Sequence, residues 1–336
     1  MPKIPSSSLP ASGLFALAKP SGPTSMSIIN DIKPLIGNSR LFVEASKLNS
    51  EGKGGKGKRK GKRSREAVKI GQGGTLDPLA DGVLVLGVGK GTKSLSEFLD
   101  CTKEYRTTCL LGCETDSYDS EGAQVRLAPW KHVTRESVEN ALSQFRGDIE
   151  QKPPVFSALK MDGKPLYEYA RKGIPLPRPI EKRPVTVLEL EIVEWLGSEH
   201  EFKYPEKKFS DEEKEALAKS LQGVEGDVPV QDEVEIDAKA NPQTPTAFVL
   251  RMKVSGGTYV RSLVHDLAHA VGSAGHVVTL TRTRQGRFAL DPKEPGDFGC
   301  IPWEVFKKAV ADTGEKDADG WTEWEREVME RLDVVE

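Results

Sequence analysis

"GGTLDPLADGVLVLGVGKGTK", residues 73–93, crowds glycines around a short apolar run, and the job of those glycines decides the fold. They either cradle a phosphate or display Asp77. A Walker loop needs four residues between its first glycine and a Gly-Lys-Ser/Thr ending, whereas "GVGKGTK" sets Lys90 between glycines. A dinucleotide fingerprint needs Gly-x-Gly-x-x-Gly, but "GQGGTL" has Leu76 and "GVGKGT" has Thr92 where the last glycine should stand. Both nucleotide readings fail on spacing. The carboxylate reading has a physical basis: Pro78 steers Asp77 away from helical geometry, and the preceding glycines permit a sharp bend. The carboxylate then projects from a turn as a nucleophile or base. Taken alone, an Asp-Pro step is also a common turn opener.

Upstream, "GLFALAKPSGPTSMSIINDIKPLI" (13–36) reads as a short strand, a Lys-Pro-Ser-Gly turn and a helix starting at Thr24 or Ser25. Downstream, "GVLVLGVG" reads as a buried strand and "KEYRTTCLLG" as an alternating one, with Tyr105 and Arg106 on opposite faces. Tyr105 thus offers an aromatic face on which a base can stack. "TRESVENALSQFRGDIEQ" (134–151) has the pattern of an amphipathic helix with Thr134 as N-cap and Ser137 in the first turn. "RPVTVLELEIVEWL" is a strand, and "AFVLRMKVSGGTYVRSLVHDLAHAVG" is a strand, a glycine turn and a helix. Arg261 begins that helix, where a guanidinium suits a carboxylate or phosphate. No internal repeat is present.

The 336 residues suffice for one large core or two modest ones. No stretch approaches the roughly 20 apolar residues of a membrane span, and the N-terminus lacks the basic start and long apolar run of a secretory signal. The expectation is an intracellular protein of the nucleus, cytoplasm or mitochondrion, with residues 1–13 flexible. Four cysteines without a CxxC pair suggest reduced thiols rather than a zinc knuckle or disulfide framework. The net charge of −3 is uneven: Asp312–Glu336 holds ten acidic and three basic residues, leaving about +4 elsewhere. Two inserts interrupt the fold. Residues 44–66, with "EGKGGKGKRKGKRSR", are basic, glycine-rich and expected to be disordered, suited to a phosphate-seeking arm or an import signal. Residues 198–246 are polar and acidic, with a short helix near "SDEEKEALAKSLQ".

Together, "KPSG" (19–22), residues 73–93, "KEYR", "LGCETDSYDSEG", "FRGDIEQKPPVFSALKMDGKPLYEYARKG", "GTYVRSLVHDL" and "HVVTLTRTRQGRF" resemble, in order and spacing, the motifs of the TruB family of tRNA pseudouridine synthases. The resemblance covers roughly 14–43, 67–197 and 247–290. It implies the pseudouridine synthase fold: an α/β catalytic domain over 14–290 with a mixed, largely antiparallel sheet, flanking helices and a central cleft. It implies cofactor-free, metal-free isomerisation of uridine 55 in the tRNA T loop, the uracil being detached, rotated and rejoined through C5. Asp77 matches the essential aspartate, acting on the sugar as nucleophile or base. Tyr105 matches the tyrosine that stacks on the uracil, and Arg261 the arginine that pairs with the aspartate. Leu280 matches an apolar residue of the uracil pocket, with Arg282 in the same motif as a substrate-binding residue. Lys19 and Pro20 match a motif supporting the aspartate loop. Residues 153–183, with Tyr167 and Tyr169, resemble the family's RNA-gripping segment.

The buried T-loop uridine must be flipped out, and an RNA loop is read by its shape. The implied partners are the tRNA T arm and T-loop-like messenger RNA, bound by a monomer, with a tRNA-folding role possible beside catalysis. Gln72 stands where the family usually has histidine. About 45 residues follow Leu290, an acidic extension too short for the family's further RNA-binding domain of PUA type, as in the stand-alone, guide-independent, fungal-like branch. A rival reading is a metal hydrolase, since "HDLAH" places His265 and His269 at i and i+4. Asp266 then replaces the general-base glutamate, and His276 is the nearest third ligand in the sequence.

Overall fold

The computed structural model describes residues 9–48, 68–157, 159–171, 174, 176–214 and 244–336. Most of the basic insert and all but the start of the helix expected at 210–222 lie outside them. The chain divides into two compact units, Met1–Lys103 with Thr281–Glu336, and Glu104–Leu280.

In chain order the strands are β1 Gly13–Lys19, β2 Ile70–Gln72, β3 Asp81–Val88, β4 Lys103–Leu111, β5 Cys113–Thr115, β6 Gln124–Leu127, β7 Gly147–Gln151 and β8 Lys160–Met161. They continue as β9 Lys164–Pro165, β10 Arg183–Gly197, β11 Ala247–Val254, β12 Gly275–Gln285, β13 Phe288–Ala289, β14 Phe298–Pro302 and β15 Asp333–Val334. The helices are α1 Ser25–Gly37, α2 Ala45–Leu48, α3 Glu97–Asp100, α4 Arg135–Leu142, α5 Leu166–Arg171, α6 Val260–Ala270, α7 Trp303–Ala311 and α8 Glu323–Arg331.

The first unit is built on β1, whose residues are almost all buried. It pairs antiparallel with β3 from Gly13↔Val88 to Lys19↔Gly82, parallel with β14, and antiparallel with β15. The β3 edge also meets the end of β12 in parallel, Thr281↔Asp81 and Arg282↔Gly82. Leu14, Ala16, Val83, Val85, Phe98 and Phe288 form the core here, each large apolar side chain contributing roughly 1.5–3 kcal/mol on burial. The acidic C-terminal segment takes part: Trp324, Val328 and Met329 are buried on α8, which a Thr322–Glu325 capping box starts.

In the second unit β10 pairs antiparallel with β11 and with β7, and β5 with β6. Helix α4 begins as expected, with Thr134 and Ser137 forming a capping box. It stops well before Gln151, however: a 3-10 turn ends at Phe145, Gly147 turns the chain at φ 81°, and "GDIEQ" becomes β7. The helical pattern of those five residues loses to their pairing with Arg183–Val187 of β10. Residues 198–209 of the second insert lie against this unit, with Tyr204 Oη donating to Leu111 O at 2.9 Å. A Ser210–Glu213 exchange opens the helix described at 211–214. All four cysteines are free thiols. Among the described residues, no helix is long and apolar enough to cross a membrane.

Candidate active site

Asp77 stands in a turn between β2 and β3, and the first unit grips that turn by its carbonyls. Buried Lys19 Nζ donates to Ala80 O at 2.6 Å, Pro20 O at 2.9 Å and Pro78 O at 3.3 Å. Ser21 Oγ donates to Leu79 O at 2.7 Å. Ser25, buried at the start of α1, both donates to Leu76 O and accepts from Leu76 N, each at 2.9 Å. Gly22 N donates to Pro78 O at 2.8 Å, and Ala80 N closes the turn onto Asp77 O at 3.1 Å. The Lys-Pro-Ser-Gly motif and the helix start thus fasten Leu76, Pro78, Leu79 and Ala80, and the Asp77 carbonyl is taken up inside the turn.

Arg282 supports the turn from β12. It is 1% exposed; its Nε donates to Val83 O at 2.8 Å and its Nη1 to Thr75 O at 3.5 Å. Gln285 donates to Phe98 O at 2.8 Å and to Gly73 O. The glycines matter at two places. Gly82 has φ 101°, and a Cβ there would collide with the carbonyl of Arg282; Gly74, at φ 123°, lies against the Gln285 amide. Burial lowers the Lys19 amine to about 8, a fall held in check by the charges of Asp81 and Asp77. Lys19, Asp77, Asp81 and Arg282 therefore form one electrostatic group. Asp81 is a residue the sequence did not single out; its Oδ1 is buried without a hydrogen bond among the described residues. Gln72 Nε2 donates to Thr75 Oγ1 at 3.0 Å, and its Oε1 is likewise buried without a partner there.

In the second unit Tyr105 is buried on β4 while Arg106, on the other face, is exposed and pairs with Glu194 at 2.8 Å. Leu280 is buried midway along β12. Arg261 occupies the first turn of α6 and is 4% exposed. Its Nη1 donates to Ser117 O at 2.5 Å, its Nη2 to Phe156 O at 2.9 Å, and its Nε stands 3.6 Å from Asp119 Oδ2. The helix start is clasped to the end of β7, since Gln151 donates to Tyr259 O at 2.9 Å and accepts from Tyr259 N at 2.7 Å. Ser262 Oγ adds a bond to Lys152 O at 2.8 Å. Ser117, Asp119 and Gln151 are positioning groups that the reading of the sequence missed; their only signal was membership of the quoted motifs. The side chain of Tyr167 lies outside the described residues.

His276 is not the neighbour of the "HDLAH" pair. It is buried, with Nδ1 2.8 Å from Cys113 O, and burial lowers its imidazole to about 4. The group of ligand atoms within 4.8 Å of one another is Glu114, His265 and His269. Arg126 occupies the same place, Nε 3.3 Å from Glu114 Oε2, so a guanidinium already balances the carboxylate a metal would need.

The first unit thus holds Asp77 on a gripped glycine turn, and the second holds a buried Tyr105 and a framed Arg261, and the class of protein follows from comparison with known sequences. The family model described as "TruB family pseudouridylate synthase (N terminal domain)" matches residues 62–210. "tRNA pseudouridine synthase 4" of Schizosaccharomyces pombe is 40% identical, covering 92% of this chain and 87% of its own. The protein of the same name in Saccharomyces cerevisiae is 33% identical over 96% of this chain and 87% of its own. The chain belongs to the TruB family of pseudouridine synthases. Among solved structures, a Cbf5-Nop10-Gar1 complex shares the fold, with a TM-score of 0.51 and 22% identity. That match covers 96% of this chain, which spans 61% of its counterpart's length.

Proposed function

We propose that this chain converts uridine 55 of the tRNA T loop to pseudouridine without a guide RNA. The N1–C1′ bond of the nucleotide breaks, a C5–C1′ bond forms, the C5 proton leaves and N1 gains one, so atoms balance with no oxidant or cofactor. The observation that carries the reading is the grip on the turn around Asp77. Lys19, Ser21, Ser25 and Gly22 hold the flanking backbone, which suits a carboxylate that must meet a sugar carbon at a fixed place. Asp77 acts on the ribose as nucleophile or base. Tyr105 stacks on the uracil and helps remove the C5 proton, and Arg261 keeps the aspartate ionised. Leu280 lines the uracil, Gln72 and Tyr167 hold the flipped nucleotide and its arm, and Lys19 and Arg282 act from behind the turn.

The catalytic unit, on this reading, comprises 14–290, with the inserts at 44–66 and 198–246 as additions to it. The substrate class extends to messenger RNA hairpins of T-loop shape, because an RNA loop is recognised by shape and splayed bases. The test is incubation of the protein with an unmodified tRNA transcript, without metal or nucleotide, followed by pseudouridine mapping for wild type and Asp77→Asn. Product at the T-loop uridine with wild type alone is expected. Product elsewhere, or product formed by Asp77→Asn at the wild-type rate, would overturn it.

A further inference from the structure

The second unit contains a charged interior that the roles above do not use. Glu114 on β5 and Arg126 on β6 are cross-strand partners, and their side chains are 2% and 3% exposed. Glu114 Oε1 lies 3.1 Å from His265 Nε2 and Oε2 2.9 Å from His269 Nε2, one turn further along α6. Arg126 Nη2 stands 3.1 Å from that same His269 nitrogen. A metal would have to displace the guanidinium, so the cluster reads as an ion network.

His265 is the member that faces two ways. Its Nδ1 is 2.9 Å from Asp266 Oδ1, so both ring nitrogens face carboxylate oxygens. A carboxylate only accepts; both nitrogens must therefore donate, and the ring is an imidazolium. One face of it lies against the ring of Tyr118, centroids 3.9 Å apart and planes 25° apart, a favourable placement for a cation on an aromatic. Tyr118 has φ 63°, a left-handed conformation that costs a bulky residue about 1–3 kcal/mol and persists only where its surroundings impose it. Tyr118 N donates to Thr115 O at 3.1 Å, Tyr118 O accepts from Val277 N at 3.0 Å, and the imidazolium holds the ring. The residues on either side of this reversal are the ones that frame Arg261: Ser117 through its carbonyl, Asp119 through its carboxylate. Arg261 and His265 are four residues apart on α6 and so share one face.

We propose that His265 is a positioning residue for Arg261: tied to Glu114 and Asp266, it clamps the ring of Tyr118 and thereby fixes Ser117 and Asp119 against the guanidinium. The proposal rests on the reading of Arg261 as the cation of the reaction.

Single-turnover pseudouridine formation, measured beside tRNA affinity, tests it. His265→Gln is expected to slow the bound-substrate rate by about ten- to a hundredfold, with tRNA affinity and the circular dichroism spectrum unchanged. A merely structural role would move stability and leave that rate alone. The ratio of wild-type to variant rate is expected to shrink as pH rises through about 9, where the imidazolium loses its proton. The groups facing it are Glu114 and Tyr118, with Arg261, Asp266 and His269 on its own helix, Arg126 behind Glu114 and His269, and Lys152 beyond Asp266. Burial raises the Tyr118 phenol beyond its usual range, so it keeps its proton across that window. Should His265→Gln fail to fold, Tyr118 poses the same question: Tyr118→Gly keeps the left-handed turn and loses the ring, and is expected to be slow; Tyr118→Phe keeps the ring and is expected to match wild type. A wild-type rate in His265→Gln or Tyr118→Gly, or a ratio that does not change with pH, overturns the proposal. So does stoichiometric zinc whose removal by a chelator abolishes activity. Wild type that forms no pseudouridine removes the functional reading and this proposal together; wild-type product with unaffected variants removes the proposal alone.

Discussion

In the first unit the side chains of Lys19, Ser21 and Ser25 reach to the carbonyls of Leu76, Pro78, Leu79 and Ala80, whereas in the second the carbonyls of Ser117 and Phe156 reach to the side chain of Arg261. On the proposed reading the difference follows from what each group does. Asp77 stands on a turn fixed through its backbone, which sets where the carboxylate is presented. Arg261 is fixed through its guanidinium, whose burial requires acceptors. Accordingly Asp77 is half-buried on a turn, and Arg261 is 4% exposed in a frame of carbonyls and a carboxylate.

The largest expected effect breaks the first side of this comparison chemically. Asp77→Asn keeps the backbone bonds that Lys19, Ser21 and Ser25 make to the turn and is expected to lower turnover by at least about a thousandfold, with tRNA affinity retained. If the folding of tRNA is also a function of this chain, the variant still assists it, as a native-gel folding assay reads directly. Gly82→Ala breaks the turn itself. The φ of 101° and the collision with the Arg282 carbonyl should destabilise the chain by about 3 kcal/mol or more, measured as a lower urea midpoint; a midpoint within experimental error of wild type would show that β3 and β12 can separate cheaply.

Stability against pH sharpens the comparison, because His265 and Lys19 carry opposite signs. Burial lowers the His265 imidazole, but Asp266 and Glu114 more than offset it and hold it up at about 9, above its ordinary 6.5. Its contribution is therefore complete below pH 6.5 and disappears as pH rises through about 9. Lys19, lowered to about 8 from 10.5, runs the other way: its penalty is full below pH 8 and fades towards 10.5. The stability difference between wild type and His265→Gln isolates the histidine. It is expected to be on the order of 2–3 kcal/mol at pH 6 and to diminish by pH 9.5, as denaturant titrations at the two pH values would show.

The two sides also differ in how far the sequence reveals them. The Asp77 turn is legible because its parts are local: Gly-Gly before Asp-Pro, an apolar run after it, Lys-Pro-Ser-Gly before a capped helix. The frame of Arg261 is not, because Ser117, Asp119 and Glu114 meet α6 across about 150 residues of chain, and no periodicity reports such a pairing. The "HDLAH" spacing correctly puts two histidines on one helix face, but their partner is a glutamate on β5 rather than His276. The helix expected over 134–151 stops at 145 for the same kind of reason, since β7 exists only through its pairing with β10. Charge count conceals apolar content as well: the acidic 312–336 contains the buried Trp324, Val328 and Met329.

Smaller effects follow from single bonds. Ser25→Ala removes both hydrogen bonds to Leu76, leaving a buried carbonyl and N–H unpaired. It is expected to cost about 1–3 kcal/mol of stability, and to slow turnover more than it weakens tRNA binding, since what it loosens is the residue next to Asp77. Equal losses in rate and affinity would mean that Ser25 serves the body of α1 rather than the turn.

Gln72 gives the smallest effect and the finest distinction. It lies on β2, gives one hydrogen bond to Thr75 at 3.0 Å, and turns a buried Oε1 toward no partner among the described residues. An amide can donate and accept but cannot become cationic, whereas an imidazole at this place gains a charge below about pH 6.5. Gln72→His is therefore expected to leave stability almost unchanged and to alter tRNA affinity by about two- to threefold below pH 6.5, with no change above pH 8. Affinity and rate that match wild type across pH 5.5–8.5 would remove Gln72 from the nucleotide-holding group. It would then belong with Ser25, whose side-chain hydrogen bonds run to the turn at Leu76.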